Sequence, residues 1–207
     1  LTRRVALRPG ELEALAELGA FAGVDPAART RRSALWQIAA LEKDPTSLFA
    51  GVPPPVAPSP LPEMSPFEET AADYRGSGIT TGPHVMIHLR ERLRARGVLS
   101  AAELRDVPDG RFVRTAGHVI VRQRPGSARG FCFLTLEDET GVSNAILTPR
   151  FFRRFRTPLH AASIVEIAGP LQNVDGVIHL RVRELSALAG RRDGRGRHTL
   201  PSSHDYR

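Results

Sequence analysis

The sequence predicts an α+β chain, with small helical segments in its first half and a five-stranded β-barrel in its second. Three observations point there. Apolar residues recur at helical spacing through about residue 107 and at every second position from Arg111 onward. Eight of the 17 prolines crowd into residues 45–66, including Pro53-Pro54-Pro55, between two stretches able to build cores. A total of 207 residues, 41% hydrophobic and 25% charged, allows one or two small globular units.

Taken in order, Glu11–Leu18 places Leu12, Leu15 and Leu18 on one helical face, with Gly19 as the C-cap. A second helix over Arg29–Leu41 carries Ala34, Leu35, Ile38 and Leu41 at helical spacing, with Trp36 beside them. Residues 1–44 therefore read as a helical unit, a remnant of the helix-hairpin-helix kind, which packs more readily than it binds phosphate. The proline-rich residues 45–66 cannot build a core and read as a linker or strap in extended polyproline conformation. Residues 67–107 read as a helical connector. Phe67–Tyr74 forms one short helix, Gly76–Pro83 a turn, and His84–Arg96 a helix ended by Gly97. Ser100-Ala101-Ala102-Glu103 is a capping box that opens the next short turn.

Residues 108–190 change period. Val113, Thr115, Gly117, Val119 and Val121 alternate along a first strand, with Gly117 marking a bulge or tight bend. Phe131–Glu137 is a second strand, and Glu139-Thr140-Gly141 turns into a third over Val142–Leu147. A short helix follows from Pro149 to Phe155. Ile164–Leu171 is a fourth strand, Asp175-Gly176 a hairpin turn, and Val177–Leu185 a fifth strand. A three-strand meander, a helix and a closing hairpin is the order of a Greek-key OB-fold barrel. Residues 191–207, polar and rich in Arg and Gly, read as a flexible basic tail.

There are 29 basic residues against 22 acidic ones, a formal charge of +7, and Lys43 is the only lysine. Such a surplus favours a polyanionic partner, because neutralising phosphates releases condensed counterions. Cys132, the only cysteine, lies in an apolar run and reads as a small core residue. It permits neither an intrachain disulfide nor a thiolate zinc site. No apolar stretch approaches the roughly 18 residues that span a bilayer, so the chain reads as cytoplasmic with no membrane partner. Leu1 in place of an initiating Met reads as a fragment of a longer chain.

Chemistry of the chain's own is not expected. Two-metal phosphoryl transfer needs carboxylates converging on one point. Glu137, Asp138 and Glu139 are consecutive at a strand end, so they begin a turn in which Asp138 accepts backbone amides. His84 and His88 have helical ligand spacing, but no third ligand is evident and Val85 stands where a zinc protease places its glutamate. Asp73 and His84 lack a nucleophile. No metal site, catalytic residue or cofactor is therefore assigned to this fragment.

Binding is better supported. OB-folds grip single strands with a basic groove and aromatic platforms on strands two and three. Arg122, Arg124 and Arg129 flank the first barrel loop. Cys132, Leu134 and Leu136 share one face of strand two and are expected to fill the barrel. That leaves Phe131 and Phe133 to stack on bases at about 1–3 kcal/mol each, unless a shifted register turns one or both into the core. In Arg150-Phe151-Phe152-Arg153-Arg154-Phe155-Arg156, Phe152 and Phe155 are expected to plug the barrel, with Arg150, Arg153, Arg154 and Arg156 outside facing phosphates. His179 and Arg181 on strand five reach the groove edge.

Several stretches also resemble a known family. Val119-Ile120-Val121-Arg122-Gln123-Arg124-Pro125-Gly126, followed by Gly130 through Gly141, is similar to the barrel of the bacterial error-prone DnaE-type DNA polymerases, relatives of the polymerase III alpha subunit. Asp73-Tyr74-Arg75 through Gly82-Pro83-His84, Gly19-Ala20-Phe21 through Trp36, and the closing Ser203-His204-Asp205-Tyr206-Arg207 resemble that group in the same order. His118 departs from it, at a strand position where a small or aliphatic residue is usual, and Val85 stands where the family carries proline. The resemblance implies the C-terminal, template-holding end of a polymerase used in translesion synthesis and DNA repair. Its partners would be single-stranded DNA or primer–template, with accessory polymerase subunits or a sliding clamp besides. Magnesium-dependent nucleotidyl transfer, and the carboxylates that perform it, would lie outside this fragment. The main alternative is a module that docks accessory polymerase or mutasome subunits, and a tRNA synthetase anticodon barrel is a distant third.

Overall fold

The computed structural model describes residues 7–41, 57–174, 177–188 and 204–206, with Thr46 and Leu48 besides. The chain divides into two compact units at Thr81/Gly82. The Asp175-Gly176 turn, residues 45, 47 and 49–56 of the proline-rich stretch and most of the tail lie outside the described residues.

The first unit holds helices α1 (Pro9–Glu17), α2 (Arg31–Ala39) and α3 (Pro66–Ser77). Pro at the first turn starts α1 and α3, where the missing N–H would have no partner in any case. Thr30 and Ser65 cap α2 and α3 through capping boxes closed by Ser33 and Glu68. Leu12, Ala16, Phe21, Ala28, Ala34 and Ile38 form its core. Leu15 and Leu18 are only half-buried beside it, and Trp36 is exposed at the surface. Arg31 ties the unit together. Its guanidinium donates to Asp73 Oδ1 at 2.6 Å and to the Glu17 carbonyl at 2.9 Å, and Thr80 Oγ1 donates to the other Asp73 oxygen at 2.7 Å. Both carboxylate oxygens of Asp73 are thereby engaged in hydrogen bonds within the unit.

In the second unit, α4 (Ile87–Arg94) is followed by a short strand β1 (Val98–Leu99) and by five long strands around a helix. These are β2 (Phe112–Gln123), β3 (Cys132–Asp138), β4 (Gly141–Leu147), helix α5 (Pro149–Ala161), β5 (Ile164–Val174) and β6 (Val177–Arg181). Their pairing closes a ring, β2-β3-β4-β6-β5 and back to β2. The β4–β6 pair is parallel and the others antiparallel, the strand order of an OB-fold. Barrel strands carry alternating residues inward, and Val119, Cys132, Leu134, Leu136, Ala145, Leu147, Ile167, Leu171 and Leu180 fill the interior.

Several details differ from what the sequence predicts, among them that α3 runs on through Gly76 to Ser77 and α4 begins at Ile87 rather than His84. The fifth strand does not run to Leu185. It breaks at Val182-Arg183, and Glu184–Leu188 returns as a separate strand, β7, on the outer edge of β5. The cap helix runs to Ala161 rather than Phe155. Within the tail, His204–Tyr206 forms a strand, β8, parallel to β2 at Val121–Gln123, so backbone pairing orders these three residues. The register shift in β2 falls between Val119 and Val121, whereas Gly117 marks a close approach: a Cβ there would sit 2.9 Å from the Glu137 carbonyl oxygen.

Gly169 is tighter still, since a Cβ would lie 2.0 Å from the Arg181 carbonyl oxygen where β6 breaks. Gly169→Ala is expected to destabilise the barrel by at least about 1–3 kcal/mol, because backbone rather than a flexible side chain must yield. Chemical unfolding of the variant checks this, and a wild-type midpoint would refute it.

The capping box ahead of β2 forms as expected. Glu103 accepts from the Ser100 amide and hydroxyl, both at 2.7 Å, and these hydrogen bonds, first the backbone one, hold its carboxyl below the usual carboxylate range. A depressed folded-state pKa stabilises above the unfolded pKa of about 4.3, and the effect is lost as pH falls through the folded value. Wild type is therefore more stable than Glu103→Gln at pH 7, and the gap closes below about pH 4. Thermal midpoints at the two pH values test this, and the effect is modest because the side chain is 43% exposed.

Candidate nucleic-acid interface

The outward face of the barrel is built by register. Gln123, Phe133, Ile146 and Arg181 stand in one row across β2, β3, β4 and β6, and Val121, Thr135, Asn144 and His179 in the next. With Cys132, Leu134 and Leu136 turned inward, period-two alternation sends Phe133 outward, where it is 37% exposed. Phe131, just before β3, is half-buried. Thr135 Oγ1 meets Asn144 Oδ1 at 3.2 Å, and the His179 ring meets Gln172 Oε1 at 3.0 Å. Phe133, His179 and Arg181, far apart in sequence, thus share one surface stripe.

Helix α5 closes the barrel beside this stripe. Phe152 is buried, and Phe151 and Phe155 stack at 4.6 Å between ring centroids while packing half-buried on the core. Arg150, Arg153, Arg154 and Arg156 are exposed. Arg154 lies over the Phe155 ring at 5.2 Å, which holds its guanidinium against an apolar face while leaving its N–H groups outward. Among the described residues none of these four arginines makes an ion pair, whereas Arg31, Arg32, Arg90, Arg96 and Arg114 all do.

A cleft of about 590 Å³ opens between α5 and the β2–β3 loop. Arg122, Arg124, Arg156 and His160 line it with Gln123 and Phe152, and Arg124 stands 5.0 Å above the Phe152 ring. Arg129 is exposed in the same loop, in the left-handed conformation at φ 48°. Arg122 departs from its expected place. It is only 7% exposed and donates to the Ala162 carbonyl at 3.4 Å, so it forms the floor of the cleft rather than its rim. Gln123 and His160 also line the cleft, beyond the residues expected there from the sequence. Phe152, Arg156 and His160 follow one another at intervals of four, a helical face that periodicity could have revealed.

The three consecutive carboxylates separate. Asp138 turns in and accepts from the Thr140 amide and hydroxyl at 2.7 and 2.6 Å, the Ala101 amide at 2.8 Å and Arg90 Nη2 at 2.9 Å. Glu139 also pairs with Arg90. Burial opposes the Arg90 charge, but Glu139 and Asp138 outweigh it and hold the guanidinium above its ordinary range. Glu137 faces the other way, toward His84. His88 is partly buried, which lowers its pKa.

A closed five-stranded ring with a helix between its third and fourth strands, preceded by helical segments, defines this chain as an α+β protein built around an OB-fold barrel. No family model matches it. It is 39% identical over 189 residues to the error-prone DNA polymerase of Anaeromyxobacter dehalogenans strain 2CP-C, covering 91% of this chain and 16% of that polymerase. It is 39% identical over 202 residues to error-prone DNA polymerase 1 of Agrobacterium fabrum, covering 91% and 18%. With that of Azoarcus sp. strain BH72 it shares 41% over 191 residues, covering 91% and 17%. The chain is similar to error-prone DNA polymerases, and it spans about a sixth of the length of these relatives. Likenesses to solved structures are remote. Asparaginyl-tRNA synthetase from Pyrococcus horikoshii gives a TM-score of 0.38 at 22% identity over 44% of this chain and 23% of that one. The p204 HINb domain gives 0.36 at 15% over 53% and 52%.

Proposed function

We propose that this chain is the template-holding end of an error-prone polymerase, binding single-stranded DNA or primer–template during translesion synthesis and repair in the cytoplasm. One observation carries the reading. An exposed Phe133 stands in register with Arg181 on a barrel face, with His179 in the next row. Arg156, from the helix whose four exposed arginines make no ion pair among the described residues, lines a cleft with Gln123 of the Phe133 row. Flat aromatic surface supplies sequence-tolerant stacking, and unpaired guanidinium groups supply phosphate attraction. In this reading, magnesium-dependent nucleotidyl transfer belongs to the rest of the polymerase, and this chain positions the strand.

The test is binding of the 207-residue chain to fluorescent oligo-dT across a salt series, with Phe133→Ala beside the wild type. The expected result is affinity that falls with salt and a loss of about 1–3 kcal/mol in the variant. Salt-dependent binding that ignores Phe133 would remove the stacking platform from the interface. Absence of binding at low salt would overturn the reading in favour of a module that docks accessory subunits or a clamp.

A further inference from the structure

We propose that His84, His118 and Glu137 form a three-ligand site for a divalent transition-metal ion of the zinc class. The residues come from three segments. His84 lies ahead of α4, His118 in the middle of β2, and Glu137 on β3 directly opposite His118 in the pairing register. One ligand atom from each lies within 4.8 Å of the other two. The His84 Nε2 atom is buried without a hydrogen-bond partner, and the Glu137 carboxylate stands 3.8 Å away, too far for a hydrogen bond. A buried polar atom left in that state calls for a reason, and an ion between the two groups supplies one.

The donor set selects the ion. Two imidazole nitrogens and one carboxylate oxygen are a His₂Glu set, which suits zinc and its neighbours and leaves a fourth position open. Magnesium and calcium prefer oxygen ligands throughout, so this ion differs from the one that supports phosphoryl transfer. Glu137 is 42% exposed in its side chain, which opens the fourth position to solvent, whereas His118 is 5% exposed and anchors the site in the barrel. One opposing contact sets the affinity. The Met86 amide donates to His84 Nδ1 at 3.2 Å, which places the ring proton on Nε2. Ligation through Nε2 moves that proton to Nδ1 and gives up the Met86 contact, so the site binds more weakly than a fully preformed one. Once bound, the ion would tie the segment before α4 to β2 and β3, next to the Arg90–Asp138 pair.

The experiment uses the 207-residue chain, stripped with chelator and titrated with Co²⁺ as the probe. A visible ligand-field band saturating at one equivalent is expected, with Zn²⁺ displacing it and raising the thermal midpoint. His84→Ala and Glu137→Gln, both with wild-type far-UV circular dichroism, are expected to weaken Co²⁺ binding at least tenfold. His88→Ala, which removes the histidine four residues further on, is expected to keep the band. No band at equimolar Co²⁺ in the wild type, or an unchanged titration in His84→Ala and Glu137→Gln, overturns the proposal. Loss of the band in His88→Ala alone would assign the ion to another ligand set and overturn it equally.

Discussion

Asp138→Ala is expected to lower the stability of the barrel unit by about 3 kcal/mol or more, displacing the thermal midpoint by on the order of 10 °C. Asp138 is 5% exposed and accepts four hydrogen bonds, from two backbone amides, one hydroxyl and one guanidinium. Removing it leaves Arg90, itself 8% exposed, with Glu139 as its remaining carboxylate, and strips the Ala101 amide of its acceptor. Breaking a buried charge pair from one side costs about 3–5 kcal/mol, and the surviving Glu139 contact keeps the effect toward the lower end. Asp138→Asn should recover only part of it, since an amide nitrogen must then face a donor. A loss below about 1 kcal/mol by denaturant unfolding would show that the turn tolerates an open acceptor shell, contrary to this account.

Replacing Arg150, Arg153, Arg154 and Arg156 together by Gln is expected to weaken oligo-dT binding by 10-fold to 100-fold, on the order set by four lost phosphate contacts. The log-affinity against log-salt slope should flatten by about 0.7 for each contact removed. Folding should be little affected, because these side chains are exposed and the plug is made by Phe152 with Phe151 and Phe155 against it. The slope separates the two readings of the helix. An unchanged slope with unchanged affinity would make α5 a solvated cap and leave DNA contact to the strand face. A flattened slope would place the phosphate path across α5, beside the cleft lined by Arg124 and Arg156.

Period-two alternation over Val113–Val121 and Cys132–Leu136 was enough to locate the barrel and to send Phe133 outward. Helical spacing and the capping box at Ser100 likewise marked local structure. These features are readable because they depend on neighbours within a turn or a strand. Arg122 was misplaced because its position beside a loop says nothing of the α5 end that covers it, and a long guanidinium can turn under a helix as easily as over it. The break at Val182-Arg183 was hidden because the apolar pattern continues through it, while the crossing of β6 over Gly169 exists only in three dimensions.

Local periodicity and aligned motifs survive without coordinates, so the main helices, the five barrel strands, the inward Cys132, Leu134 and Leu136, and the resemblance to error-prone polymerases were all legible in the chain alone. Which distant residues meet became visible only once the chain was folded. His84 looked toward His88 along one helix, yet the closed barrel sets it against His118 and Glu137. Asp138 looked like a turn residue alone, yet it neutralises Arg90 from α4. Strand register and barrel closure set these meetings, and both emerge from packing of the whole unit rather than from any short stretch of chain.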